Sequence, residues 1–318
     1  MLIRQLQYLT ALARERHFAR AAAACNVTQP TLSAGIKQIE ETLGVLVVER
    51  GHRFVGFTAE GERVLAWAQR VTADYEGLAQ ELGSLREGLT GQLRIGVIPV
   101  ALPLVHWLTE PFSQSHPRTT IQVLSHTSAE IQRGLDAFEL AAGITYLDNE
   151  PLAHVRTFPL YQEHYVLVAP SDLLGRRETI GWEEAAGLPL GLLTSDMQNR
   201  RILDMHFRDA GQVVRPVFET NSPFALLQHL RTAQWATVLP HTYLSVLGDL
   251  DGFSTLKLVE PSVKHEVGLV VAEREPLQPL ARALRAVAAM PEVRLKLQGD
   301  AVFDRSHLLK NKNIQFES

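Results

Sequence analysis

The sequence predicts an α/β chain in three parts: a small helical head closed by a short β-ribbon, one long helix, and a large body of alternating strands and helices. Three observations carry that expectation. Charge is split along the chain. Residues 1–58 hold seven Lys/Arg against four Asp/Glu, a net +3, and the remainder nets −7, although the whole chain averages only −4. Apolar residues recur at helical spacing through the first 43 residues, then follow a strict alternation of four and three from Val64 to Leu85. From Gln92 onward, apolar strand-like runs alternate with amphipathic segments. With 318 residues, 46% hydrophobic and 21% charged, the chain supports about two globular domains.

In the head, Leu2, Leu6, Leu9 and Leu12 define a first amphipathic helix, and an alanine-rich helix follows from about Phe18 to Cys25. Asn26-Val27 turns the chain. Thr28 is a suitable N-cap, and Pro30 is tolerated in the first turn, where backbone N–H groups lack helical partners. Leu32, Ile36, Ile39 and Leu43 predict a buried stripe on the third helix, which Gly44 ends. A short helix, a tight turn and a stripe-backed helix with small polar residues at its start make a helix-turn-helix, whose second helix enters the DNA major groove by its amino-terminal part. Thr28, Gln29, Pro30, Thr31 and Ser33 lie there, and Lys37 can reach the phosphate backbone. Val45–Glu49 and Arg53–Phe57 predict two short strands, a wing carrying Arg50 and Arg53 toward phosphates or a minor groove.

The ordered set Arg4-Gln5-Leu6, Phe18-Ala19-Arg20-Ala21-Ala22, Val27-Thr28-Gln29-Pro30-Thr31-Leu32-Ser33, Ile36-Lys37-Gln38-Ile39-Glu40, Leu43-Gly44, Glu49-Arg50 and Phe57-Thr58-Ala59-Glu60-Gly61 resembles the amino-terminal pattern of LysR-type transcriptional regulators. By that resemblance the DNA-reading motif spans Phe18 to Lys37. There are departures. Ala34-Gly35 stands where many members carry a basic or polar pair, which removes one contact and places a glycine inside a helix, at a cost of about 1 kcal/mol relative to alanine. Val47-Val48 replaces a usual Leu-Phe pair, and Cys25 sits at a core leucine position, where a buried apolar role is expected.

The long helix is expected from about Ala59 to Glu87, capped by Thr58, roughly 42 Å at 1.5 Å per residue. Val64, Ala68, Val71, Tyr75, Leu78, Leu82 and Leu85 repeat every 3.5 residues on average, the period of a coiled-coil seam and hence of a homodimer. A helix packed on its own domain would show a wider stripe near 3.6.

The body's strand–helix alternation implies parallel sheets covered on both faces. Strands are expected at Leu93–Ile98, Thr120–Ser125, Ala141–Ile144, Tyr165–Ala169 and Glu266–Ala272, with helices at Leu102–Ser115, from Ser128 to about Phe138, and near Leu277–Ala289. The resemblance implies an effector domain of two Rossmann-like, periplasmic-binding-protein-like subdomains, with the chain crossing between them near Tyr161–Val168 and Val263–Val270. Ligands of such sheets sit beyond the carboxyl ends of the strands, where helix N-termini converge. Thr127-Ser128-Ala129-Glu130 fits a capping box, Thr194-Ser195-Asp196 precedes a helix bearing Arg200-Arg201, and Asn221-Ser222-Pro223 places a polar residue before a first-turn proline. With the implied pocket, Thr127, Ser128, Ser195, Asn221 and Ser222 are candidate effector contacts, and a small anionic metabolite is favoured by the helix dipoles. Pro99-Val100-Ala101 follows the first strand where a Ser or Thr is common, leaving Val100 only backbone and apolar surface. Trp235 replaces part of a glycine-rich turn and is expected to fill pocket volume.

Several classes drop out. One cysteine makes neither a disulfide nor a thiolate cluster, and the twelve histidines show no metal-ligand spacing, with His154, His164 and His241 expected at the surface or as caps. No G-x-S-x-G, P-loop or G-x-G-x-x-G is present, so neither an enzyme nor a cofactor is indicated. No uncharged apolar run approaches the length of a membrane span, and no secretory signal precedes the head, so a cytoplasmic protein is expected. The expected organisation is a DNA-binding domain at 1–58, a linker and dimerisation helix at 59–90, an effector domain at 91–300 and a tail at 301–318. It describes a regulator that binds double-stranded DNA as a homodimer or a dimer of dimers and responds to a small molecule. Two other readings stay open: an enzyme on the α/β body, which would need turnover dependent on residues 92–300, and a solute-binding module with a degenerate head, for which Lys37 and Arg53 would not matter to DNA.

Overall fold

The computed structural model describes residues 3–50, 54–174, 177–230, 235–247 and 252–299. Its contacts separate a head with its long helix, up to Gly91, from a body that begins at Gln92.

In the head, α1 (Ile3–Glu15), α2 (Phe18–Ala24) and α3 (Gln29–Leu43) precede a two-stranded antiparallel ribbon, β1 (Val48–Arg50) and β2 (Phe54–Phe57). Leu6, Leu9, Leu12, Leu32, Ile36 and Ile39 meet in one core with Ala21, Ala22 and Val48. Burying each large side chain contributes about 1.5–3 kcal/mol. The cap of α3 is as expected: the Thr28 hydroxyl accepts from the Thr31 backbone N–H, and Gly44 closes the helix in the left-handed region at φ 70°. Leu43 departs from the predicted stripe. It is 44% exposed, because α3 ends there and the chain turns away at Gly44. The first ribbon strand starts later than expected, at Val48, and on its other side Glu40 takes the Val47 and Val48 N–H groups at 3.0 and 3.2 Å. Helix α4 (Ala59–Glu87) starts on Thr58, whose hydroxyl accepts from Gly61 N–H at 2.9 Å.

The body holds two sheets. In the five-stranded sheet β3 (Gly91–Val97) lies between β4 (Thr119–Ser125) and β5 (Ala142–Tyr146), followed by β13 (His265–Ala272) and β6 (Val155–Glu163). The six-stranded sheet runs β10 (Phe218–Thr220), β9 (Leu190–Leu193), β11 (Ala236–Pro240), β7 (Tyr165–Pro170), β12 (Phe253–Val259) and β8 (Thr179–Gly181). The chain passes from one sheet to the other between β6 and β7, at His164, and returns between β12 and β13, close to the predicted crossings. The sheets are mixed rather than parallel throughout. β3 pairs parallel to β5, and β11 parallel to β9, but β13 lies antiparallel to β5 and β7 antiparallel to β11, since a strand that arrives by crossing runs against its new neighbours.

Helices α5 (His106–Ser115), α6 (Ser128–Asp136), α7 (Ser171–Leu174), α8 (Trp182–Ala186), α9 (Gln198–Asp209), α10 (Pro223–Leu230), α11 (Leu244–Leu247), α12 (Pro279–Ala288) and α13 (Pro291–Gly299) complete the body. The helix expected from Leu102 is instead a 3₁₀ turn over Pro99–Leu104 that leads into α5, because Pro99 and Pro103 offer no backbone N–H. Helix α13 was not foreseen. Residues 301–318, the expected tail, lie outside the described residues.

Candidate functional site

Two surfaces hold the residues singled out by sequence, one on each unit. On the head, α3 separates its faces cleanly. Leu32, Gly35, Ile36 and Ile39 are buried, while Gln29, Pro30, Thr31, Ala34 and Lys37 are exposed and Ser33 is half-buried. Thr28 and Thr31 share a hydroxyl contact of 2.8 Å at the start of the helix. Lys37 is exposed and 3.4 Å from Glu41, a surface pair worth at most about 1 kcal/mol and easily exchanged for a phosphate. Arg50 is the last residue of β1, and 51–53, including Arg53, lie outside the described residues. Cys25 is half-buried and packs against the head core. Its thiol contacts the Gln7 carbonyl at 3.9 Å, and burial raises its pKa, which keeps it protonated.

The structure divides the heptad stripe of α4. Ala68 is buried and Val64 packs against the head core, whereas Val71, Tyr75, Leu78, Leu82 and Leu85 are exposed by 38–80%. An unpaired apolar row of that length is unusual on a helix surface.

In the body, a cavity of about 660 Å³ opens beyond the carboxyl ends of β3, β4, β9 and β10. Its wall brings together Thr127, Asn221 and Ser222 of the predicted set, with Pro99, Leu102, Pro103, Leu227, Phe224 and Val246 supplying apolar surface. The predicted capping box forms: Glu130 accepts from the Thr127 N–H at 2.8 Å, and the Thr127 hydroxyl accepts from Glu130 N–H at 3.2 Å. The Thr127 N–H holds the Glu130 carboxyl below its ordinary pKa. Ser222 caps α10 through Ala225 N–H at 3.3 Å.

The other predicted contacts lie elsewhere. Val100 is buried behind the wall. Ser128 is buried too, donating to Gln198, which also receives Thr145 at 3.4 Å and binds the Asn149 carbonyl. Ser195 is exposed and does not cap α9, which starts after Met197 without a side-chain cap. Its neighbours Asp196 and Met197 line the cavity in its place. Trp235 lies outside the lining, stacked with Phe218 at 5.3 Å and His229 at 5.9 Å. The expectation for His164 and His241 also fails: the rings stack at 3.7 Å, and His241 is buried because β7 and β11 bring the two residues face to face.

A second polar cluster was not found from sequence. Glu163 is fully buried, accepts from Tyr146, and has Tyr161 and Tyr165 beside it. Burial raises its pKa to about 8, against the opposing pull of the tyrosine hydroxyls. Asn199 donates to the Tyr146 hydroxyl at 3.0 Å. Next to it, His206 and His265 meet Nε2 to Nε2 at 2.8 Å, and His265 reaches Asp148 at 3.2 Å. Burial and the neighbouring His265 push His206 down to about 4. A signal was present: Glu163-His164 interrupts two apolar runs at the crossing.

Among the described residues no group of three His, Cys, Asp or Glu side chains is placed to hold a metal, and no helix is long and apolar enough to cross a membrane.

Residues 3–62 match the family described as bacterial regulatory helix-turn-helix protein, lysR family, and residues 86–290 match the LysR substrate binding domain. The chain is 31% identical over 293 residues to the DNA-binding transcriptional dual regulator OxyR of Escherichia coli strain K12, covering 90% of this chain and 95% of that protein. It is 32% identical over 292 residues to a probable hydrogen peroxide-inducible genes activator of Streptomyces viridosporus, covering 88% and 92%. Among solved structures, a full-length cysteine-to-aspartate variant of OxyR from Pseudomonas aeruginosa superposes with a TM-score of 0.75 at 26% identity, covering 93% of this chain and 98% of that one.

Proposed function

The chain belongs to the LysR family, as a DNA-binding transcriptional regulator with an effector-binding domain, and from that premise we propose how its own residues do the work. The exposed start of α3 carries the reading. Gln29, Thr31 and Ser33 contact base edges, Thr28 and Pro30 set the helix start, and Lys37, Arg50 and Arg53 contact phosphates. One observation supports this most: α3 buries its entire apolar stripe up to Ile39 while leaving the polar face at its amino-terminal end exposed. Helix α4 pairs two chains through Val71, Tyr75, Leu78, Leu82 and Leu85, and two such pairs form a tetramer. Pairing doubles a head of charge only +3, which makes so small a cation count workable on DNA.

The effector occupies the cavity walled by Thr127, Asn221 and Ser222. A reversible ligand is favoured over a thiol switch within the body. Peroxide responsiveness belongs to the relatives' names, but an intramolecular disulfide needs two cysteines and this chain has Cys25 alone, in the head. Binding favours one arrangement of the two sheets, and the paired heads then change spacing and DNA bend. The protein acts in the cytoplasm, as a regulator and without turnover.

A mobility-shift titration on DNA upstream of its own gene tests the reading. Specific, salt-sensitive binding is expected. Lys37→Ala weakens all sequences alike, whereas Gln29→Ala or Thr31→Ala costs about 1–3 kcal/mol on the preferred site and relaxes selectivity. Equal affinity for all sequences with the native chain removes the reading.

A further inference from the structure

The cavity's polar groups do not suit the anion expected from helix dipoles. At the start of α6 the Thr127 N–H is taken by the Glu130 carboxylate and the Glu130 N–H by the Thr127 hydroxyl. At the start of α10 the Ser222 N–H is taken by the Thr220 hydroxyl at 3.2 Å, and Ala225 N–H by Ser222. Two amides at each of these helix starts are therefore capped from within the chain, and α6 already has a carboxylate at its positive end.

The charged groups left on the wall are acidic. Glu130 and Asp196 stand there with His126, whose Nδ1 is 3.7 Å from Glu130, and among the described residues no Lys or Arg lines the cavity. Arg200 is paired with Asp204 at 2.9 Å and with Glu219 at 2.5 Å, and Arg201 with Glu150, while Arg133 acts on Glu130 from the same helix without lining the cavity. The rest of the wall is apolar, including Leu102 and Leu227, with a lip of Phe224 and Val246 that are 67% and 55% exposed. An aromatic lip beside two carboxylates suits a cation by charge and by its ring face.

We propose that this cavity takes an amphiphilic cation, an amine or ammonium group on an apolar body, with the charged end toward Glu130 and Asp196 and the body against Leu102, Leu227 and Phe224. The proposal rests on the reading of the cavity as the effector site and names the class of ligand that site accepts.

The test compares three probes of one shape by calorimetric titration into the full-length protein: phenethylamine, phenethyl alcohol and phenylacetate. The amine is expected to bind tightest and phenylacetate not at all, with the amine's advantage shrinking as salt rises. In the Glu130→Gln and Asp196→Asn double variant, amine affinity falls about fivefold while the alcohol is unchanged, as two exposed charge pairs imply. Val246→Trp, at an exposed lip position, obstructs the mouth and weakens every probe that binds. If phenylacetate binds as well as the amine, or no probe binds, the cation proposal is overturned. Phenylacetate binding that Val246→Trp abolishes overturns the charge class alone and leaves the cavity as the effector site. Binding that survives Val246→Trp removes the cavity itself.

Discussion

The ring of Tyr8 lies where a side chain on Gly35 would begin: a Cβ there would sit 2.6 Å from Tyr8 Cδ2. The glycine that looked like a weakness in α3 is what lets α1 lie close against it. Replacing it with alanine gains about 1 kcal/mol of helix propensity but forces backbone or ring to move, and overpacking of this kind costs about 1–3 kcal/mol. Gly35→Ala is therefore expected to destabilise the head. Combined with Tyr8→Leu, part of the loss should return as a coupling energy on the order of 1 kcal/mol. Hydrogen exchange of the α1 and α3 amides in the full-length protein reads both. A more stable single variant, or strict additivity, contradicts the contact.

Glu40 bolts α3 to the ribbon that follows it. Its buried carboxylate holds the Val47 and Val48 N–H groups. Glu40→Ala strands two buried donors, each costing about 1–3 kcal/mol, and frees the ribbon that follows. We expect exchange protection to fall at Val47 and Val48 and DNA affinity to fall at least tenfold, while Glu40→Gln keeps one acceptor and loses less. Unchanged protection in Glu40→Ala would falsify this role.

The sequence carried α3 almost completely, because every determinant of that helix is local: cap at Thr28, proline at position 30, stripe, and Gly44 at positive φ. The limits of α4 were legible for the same reason, whereas the two crossings came from the family resemblance. The Tyr146, Glu163, Asn199 and His265 cluster was not legible. Its members come from β5, β6, α9 and β13, and no periodicity links residues that only the sheet crossing brings together. Of the candidate effector contacts, half line the cavity. Polar residues at helix starts are visible in sequence, but whether such a residue faces a cavity, as Thr127 does, or a buried neighbour, as Ser128 does, depends on one residue of helical rotation.

Leu78 and Leu82 are exposed by 57% and 56% on α4, one helical turn apart. If a second chain covers them, each contributes about 1.5–3 kcal/mol to association. Leu78→Glu with Leu82→Glu is expected to convert the dimer to monomer in sedimentation equilibrium and to abolish binding to a two-half-site operator. Binding to single half-sites should fall much less. A variant that keeps the native mass shows that α4 does not hold the chains together.

Glu163 and His206 impose opposite pH dependences on the body. The Glu163 pKa, about 8 in the fold, lies above the value near 4.3 of an unfolded carboxyl, so the native state binds the extra proton and stability falls as pH rises between those values. His206, at about 4 in the fold against about 6.5 unfolded, gives stability that is present above about pH 6.5 and lost as pH falls toward 4. Between about pH 4.5 and 6.5 the two slopes oppose and largely cancel. Above about pH 6.5 only Glu163 acts, and stability declines toward pH 8 by up to about 1.4 kcal/mol per pH unit. Glu163→Gln keeps the shape and an acceptor for Tyr146 while removing the titration. Its denaturation midpoint should stay flat from about pH 6.5 to 8 and drop in acid, where the His206 loss is no longer offset. A native-like decline above pH 6.5 in that variant shows that the buried carboxyl is not the group that titrates.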